Sequence, residues 1–154
     1  MKAIDKKIQL SKRSLGNTGE AIAKLVLEKK NYRIIKQNFN SSVGEIDIIA
    51  STGKTLVFIE VKTRTSDDFG SPSESIGTGK ILRIRKTASW YLAKKDETGF
   101  QDCRFDIISI MVKKNKIRTI SRKISRDGAS TSDISEIAAE LIDSCIIDHI
   151  ESAF

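Results

Sequence analysis

Residues 18–30 carry apolar positions at helical spacing: Ala21, Ile22, Leu25 and Val26, with Ala23 and Leu27 widening the face. The spacing predicts a well-buried helix, and Asn17 followed by Glu20 fits an N-cap with its N3 carboxylate. Tyr32 to Asn40 reads as a first strand, closed by a turn at Ser41-Ser42. Residues 44–64 then run GEIDIIA, STGKTL, VFIEVKTR. Two Ile- and Val-rich runs flank Ser51-Thr52-Gly53-Lys54, the pattern of two buried strands joined by a short hairpin loop. Residues 65–79 form one long Ser- and Gly-rich loop with the only proline, Pro72; loops of this length in compact domains are often functional. From Lys80 to Lys94 a second helix is predicted, its apolar stripe made by Ile81, Ile84, Ala88, Tyr91 and Leu92. Arg104 to Val112 reads as a largely buried strand, with Lys116 to Ile120 as its hairpin partner through Lys114-Asn115. A last helix is expected from Ser132 to Ile150, with Ile134, Ile137, Ala138, Leu141, Ile142 and Cys145 on one face. The order is helix, three strands, helix, strand, hairpin strand, helix, which predicts an α/β fold with a central mixed sheet flanked by helices.

Composition narrows this to one soluble domain. The 154 residues are 39% hydrophobic and 31% charged, enough for a substantial core. No apolar run approaches 18 residues and the basic start lacks a signal-peptide core, so a cytoplasmic protein without membrane contact is expected. Cys103 and Cys145 lack metal-type spacing and read as reduced thiols. His149 is the only histidine, which disfavours serine-histidine catalysis and ordinary zinc sites. Net charge is +7, unevenly placed: residues 127–154 hold seven acids and no Lys or Arg, leaving 27 basic and 13 acidic residues in 1–126, a net +14. Three regions follow: a basic arm over 1–13, an α/β body over 14–126, and an acidic helix over 127–154 packed on the same domain. A basic body suits a polyanionic partner, nucleic acid before membrane.

The charges inside the buried strands carry the chemistry. Ionised groups there cost several kcal/mol unless paired or metal-bound. Alternation puts Glu45 with Asp47 on one face, and Phe58, Glu60 and Lys62 on one face. Asp47, Glu60 and Lys62 have the form D-x(12)-E-x-K and resemble the core motif of the PD-(D/E)xK nuclease superfamily. Adjacent strands can bring Asp47 and Glu60 together, and with a nearby carbonyl, that of Val61, they make a hard-oxygen site for Mg²⁺ or Mn²⁺. Lys62 would orient or deprotonate the attacking water, or stabilise developing phosphate charge. The same residues also read as a strand-face salt bridge.

A longer run of motifs resembles the YraN family, small proteins classed as candidate endonucleases. It comprises residues 16–23 (GNTGEAIA), Asn38-Phe39, residues 44–50 (GEIDIIA), residues 57–64 (VFIEVKTR), residues 69–72 (FGSP), Lys80, Arg83-Ile84, residues 104–106 (RFD) and the ending IESAF. The resemblance implies a restriction endonuclease-like fold related to archaeal Holliday-junction resolvases. It also implies a Mg²⁺-dependent nuclease acting on DNA, branched repair or recombination intermediates included. Glu20, Asp47, Glu60 and Lys62 fall on the superfamily's catalytic positions; Ile46 stands where the motif's name has proline.

Other residues keep two readings. Glu20 is a capping-box acid or a carboxylate that reaches the metal through water. Glu45 is a further acid at the metal or a solvent charge at a strand end. Arg64, Lys80, Arg83 and Lys86 hold phosphate or solvate the surface. Trp90 stacks on a base or packs in a second layer. Asp106 is expected to pair with Arg104 or a neighbour rather than bind metal. A non-catalytic nucleic-acid-binding module and a protein-interaction domain docking through its acidic helix remain the rivals to the nuclease, and a homodimer stays open.

Overall fold

The computed structural model describes residues 12–65, 76–94, 99–116, 120, 123 and 131–154. Most of the expected basic arm and loop, and Asp127, lie outside the described residues. Within them the order is α1 (Lys12–Lys29), β1 (Arg33–Ser41), β2 (Gly44–Thr52), β3 (Thr55–Thr65), α2 (Thr78–Lys94), β4 (Asp102–Val112), α3 (Thr131–Leu141), a 3₁₀ turn (Ile142–Ser144) and β5 (Ile146–Ile150). The five strands make one sheet in sequential order, antiparallel except for the parallel pair β3–β4, whose crossover contains α2.

Each sheet face buries its own cluster. Val57, Ile59, Ile108 and Ile110 point to one side, where Ile22, Ala23 and Leu27 of α1 and Ile137, Ala138 and Leu141 of α3 cover them. Ile49, Leu56 and Phe58 point to the other, under Ile84, Ala88 and Tyr91 of α2. Two apolar sheet faces require two helical layers, and α1 with α3 on one side and α2 on the other supply them.

Two predicted elements are corrected. The last helix does not reach Ile150: it ends at Leu141, and residues 146–150 form β5 against β4. The run Ile146-Ile147-Asp148-His149-Ile150 is rich in β-branched residues, and without it β4 would present a row of unpaired backbone groups. Nor is Lys116 to Ile120 a hairpin strand, since residues 114–116 and Ile120 are helical and residues 117–119 lie outside those described. Ile120 is fully buried in the α1–α3 cluster. In addition, α1 begins at Lys12, so Asn17 is inside the helix and caps nothing.

Candidate active site

Pairing between β2 and β3 runs from Thr52↔Thr55 to Ile48↔Ile59 and goes no further. The next residues out are Asp47 and Glu60. Beyond that point Asp47 replaces the ladder: its Oδ2 accepts a hydrogen bond from the Val61 backbone N–H at 2.8 Å. The two carboxyl groups lie close enough to shift each other's pKa. The D-x(12)-E spacing thus reflects two strands that part at this point, with both acids in the opening.

A local irregularity aims Asp47. Ile46 and Ile48, two residues apart, join opposite clusters, so strand alternation breaks between them. Across the ladder, Asn38 has a left-handed φ of 49°, between the pairs Gln37↔Ile48 and Phe39↔Ile46. A non-glycine residue held there marks strain of the kind that gathers at functional sites. Simple alternation, on which the expected shared face of Glu45 and Asp47 rests, does not hold through this stretch.

Helix α1 supplies the third carboxylate. Gly19 packs so closely on β3 that an added Cβ would lie 1.7 Å from Thr63 Oγ1. That contact brings Glu20 up to the strand opening, where it feels the charges of Asp47 and Glu45 and stands beside Asn38. Since Asn17 is not a cap, the capping-box reading of Glu20 fails. Glu20, Asp47 and the exposed Glu45 share the lining of a cleft of about 450 Å³ with Arg13 and Asn38.

The lysines divide differently from the sequence expectation. Lys62, half-buried, follows Glu60 on the α2 face of β3, as does Arg64 two residues on. Lys80, which the sequence offers as a phosphate holder, has its Nζ ion-paired with Glu60 Oε1 inside the site. Arg83 lines a neighbouring groove beside the β1–β2 turn, with Lys80, Val43, Gly44 and Glu45. Lys86 is exposed, and helical geometry carries it about 120° round the axis from Lys80. Trp90 is half-buried against Phe39, ring centroids 5.8 Å apart, with Lys94 Nζ 4.4 Å over its ring, so it packs in a second layer.

Burial and mutual repulsion set the electrostatics. Glu60, 4% exposed, has its pKa raised to about 7, by burial first and by the Asp47 charge second, against the opposing effect of Lys80. Asp47 is raised by burial, with the Val61 N–H opposing. Glu20 is raised by burial and then by Asp47. The group is short of positive charge, a state that clusters at functional sites. Among the described residues no three His, Cys, Asp or Glu side chains lie together as a complete metal cage.

Asp106 belongs to a separate, structural cluster. It is fully buried and pairs with Arg104 at 3.0 Å, as the sequence suggests. It also accepts hydrogen bonds from the Ser152 N–H at 3.0 Å and pairs with His149 Nε2 at 2.8 Å. Burial would raise its pKa, but the bonds from His149, Arg104 and Ser152 outweigh that and hold it below the usual carboxylate value. The His149 contact is not legible in the sequence, because residues 146–150 read there as helix. Cys103 and Cys145 are both free thiols, the former exposed.

With this geometry in view, comparison with known proteins places the chain. A family profile described as uncharacterised protein family UPF0102 matches residues 19–110, the span from Gly19 through the parting strands to β4. The chain belongs to the UPF0102 family. A UPF0102 protein of Moorella thermoacetica is 43% identical over 101 residues, 66% of this chain and 83% of that protein. Those of Geobacter metallireducens and Vibrio campbellii are 45% identical over 104 residues (67% and 84%) and 40% identical over 116 residues (75% and 95%). The family span contains Glu20, Asp47, Glu60, Lys62 and Lys80 and leaves out β5 and the acidic helix. No described helix is long and apolar enough to cross a membrane.

Proposed function

We propose that this UPF0102 protein is a metal-dependent DNA endonuclease with a restriction endonuclease-like fold, acting on phosphodiester bonds at the opening between β2 and β3. The observation that carries the reading is the pairing of half-buried Asp47 with buried Glu60 where the two strands part, with Lys62 two residues beyond on the Glu60 face. The donor set suits Mg²⁺ or Mn²⁺. Asp47, Glu60 and the Val61 carbonyl are all hard oxygens, and Mg²⁺ takes one or two carboxylates while keeping waters and substrate phosphate as its other ligands. The charge deficit that raises Glu60 is what a divalent cation relieves. When bound, such an ion supplies Lewis acidity toward a phosphate and lowers the pKa of water.

The chain's own residues do the rest. Asp47 is held through Oδ2 by the Val61 N–H, which leaves Oδ1 to serve the cation. Lys62 orients the attacking water or meets the charge that develops on the phosphate. Glu20 accepts from water in the cleft it shares with Asn38. Arg64 and Arg83 hold the strand by its phosphates.

The experiment is cleavage of duplex, single-stranded, flap and four-way DNA with Mg²⁺ or Mn²⁺, comparing wild type, Lys62→Ala and Asp47→Ala. An interaction made in the transition state lowers rate more than affinity. Lys62→Ala is therefore expected to lower cleavage by at least ~100-fold with DNA and metal binding far less affected, whereas Asp47→Ala also loses metal. Normal cutting by Lys62→Ala, or no metal-dependent cutting by wild type on any substrate, overturns the enzyme reading. A non-catalytic DNA-binding module then takes its place. Its DNA affinity would not depend on Asp47.

A further inference from the structure

Lys80 occupies an unusual place. It lies in the first turn of α2, a turn with no acidic residue, where the helix dipole disfavours a cation. Helix stability does not account for it there. Its ammonium instead reaches Glu60, whose side chain is 4% exposed, while Lys80 itself remains 45% exposed. The lysine thus enters the acid pair from the solvent side, on a flexible four-carbon stem that can withdraw without moving the helix. Its other surroundings are the groove of about 600 Å³ between the β1–β2 turn and α2, which it shares with Arg83. The groove is narrow at Gly44, where an added Cβ would sit 2.9 Å from Thr87 Oγ1 and 3.6 Å from Arg83 Cβ.

We infer that Lys80 is a resident counter-ion of the Asp47–Glu60 pair, which a divalent cation must displace, and that the released ammonium turns into the Arg83 groove to hold a substrate phosphate. This rests on the proposed metal site. Glu60 Oε1 cannot serve an ammonium and a metal ion in one position, and two cations brought to one carboxylate repel. In the absence of metal the lysine keeps two buried acids from standing uncompensated. Once out, it and Arg83 flank one groove beside the reacting centre, so binding of metal and binding of phosphate support each other.

The test is Mn²⁺ titration of the full-length protein without nucleic acid, free Mn²⁺ being read by electron paramagnetic resonance. Wild type, Lys80→Met, Lys80→Gln, Lys80→Arg and Asp47→Asn are compared, with circular dichroism to verify folding. Removing one competing charge should tighten Mn²⁺ binding about 10-fold in Lys80→Met and Lys80→Gln, leave Lys80→Arg no tighter than wild type, and abolish the site in Asp47→Asn. Binding of a short duplex with Mn²⁺ present should weaken in both neutral variants. If wild type holds an Mn²⁺ that Asp47→Asn loses, and the neutral variants bind it no more tightly, the counter-ion role is wrong while the metal site stands. If neither wild type nor the neutral variants bind Mn²⁺, the metal site fails and the inference with it.

Discussion

Burying Glu60 beside Asp47 makes the acid pair a source of instability whose size depends on pH. Its folded pKa of about 7 lies above the ordinary carboxyl value of 4.5, so between those values the folded chain keeps a proton that the unfolded chain has released. Stability from this group is therefore highest below the lower value and is lost as pH rises through the upper one. Glu60→Gln removes the titration. Without metal, its stability relative to wild type should rise by on the order of 1–3 kcal/mol between roughly pH 5 and pH 8 in urea unfolding; a difference flat with pH would mean the pair is not under charge strain. Gly19 sets the same site by shape. Gly19→Ala forces its Cβ into Thr63 and should cost about 1–3 kcal/mol, with Thr63→Gly restoring part of it; unchanged stability in Gly19→Ala would show that α1 does not press on β3 there.

At the scale of elements, the C-terminal strand behaves as a clamp. His149, whose Nδ1 lies 3.1 Å from Lys30 Nζ, meets Asp106 through Nε2, and Glu151 accepts from the Tyr32 hydroxyl at 3.0 Å. Ala153 N–H closes on the Phe105 carbonyl at 2.8 Å, and Phe154 stacks on Phe105 at 5.3 Å. Removing one partner of a buried hydrogen-bonded pair costs more than removing both, so His149→Leu should destabilise by about 1–3 kcal/mol and Asp106→Leu/His149→Leu by distinctly less. Equal losses in single and double variants would rule out the pairing. None of this was legible beforehand. The strands carrying Asp47 and Glu60 were, because Ile and Val runs broken by acids have few interpretations. Residues 142–150 were not, since Ile142, Cys145 and Ile146 continue a helical stripe and only the open edge of β4 decides for a strand. Nor was Lys80's contact with Glu60, which depends on how the crossover sets α2 against β3, or the break in alternation at Asp47, which follows from Asn38 across the ladder.

Over the whole molecule, the two helical layers carry opposite charge. Helix α2 bears Lys80, Arg83, Arg85, Lys86 and Lys94 with no acid, while α3 bears Asp133, Glu136 and Glu140 with no base. Glu136 and Glu140 are exposed, as the sequence suggests for the acidic segment, although Lys123 pairs with Glu140 at 2.6 Å. A polyanion approaching the strand opening therefore meets an attractive face on the α2 side and a repulsive one on the α3 side. Each phosphate neutralised on duplex DNA contributes about 0.9 to the slope of log affinity against log salt. If DNA lies along the groove beside the β1–β2 turn, Arg83→Ala should weaken binding similarly across sequences and reduce that slope by about one. Lys86→Ala, turned away round the helix, should change it less. Glu136→Gln/Glu140→Gln should leave the slope unchanged, because those side chains face the other side of the sheet. Fluorescence-anisotropy titrations of one duplex across a salt series measure all three. A slope that responds to Lys86 but not to Arg83 would move the DNA track off the groove, and one that responds to the α3 pair would put the acidic helix in the binding surface itself.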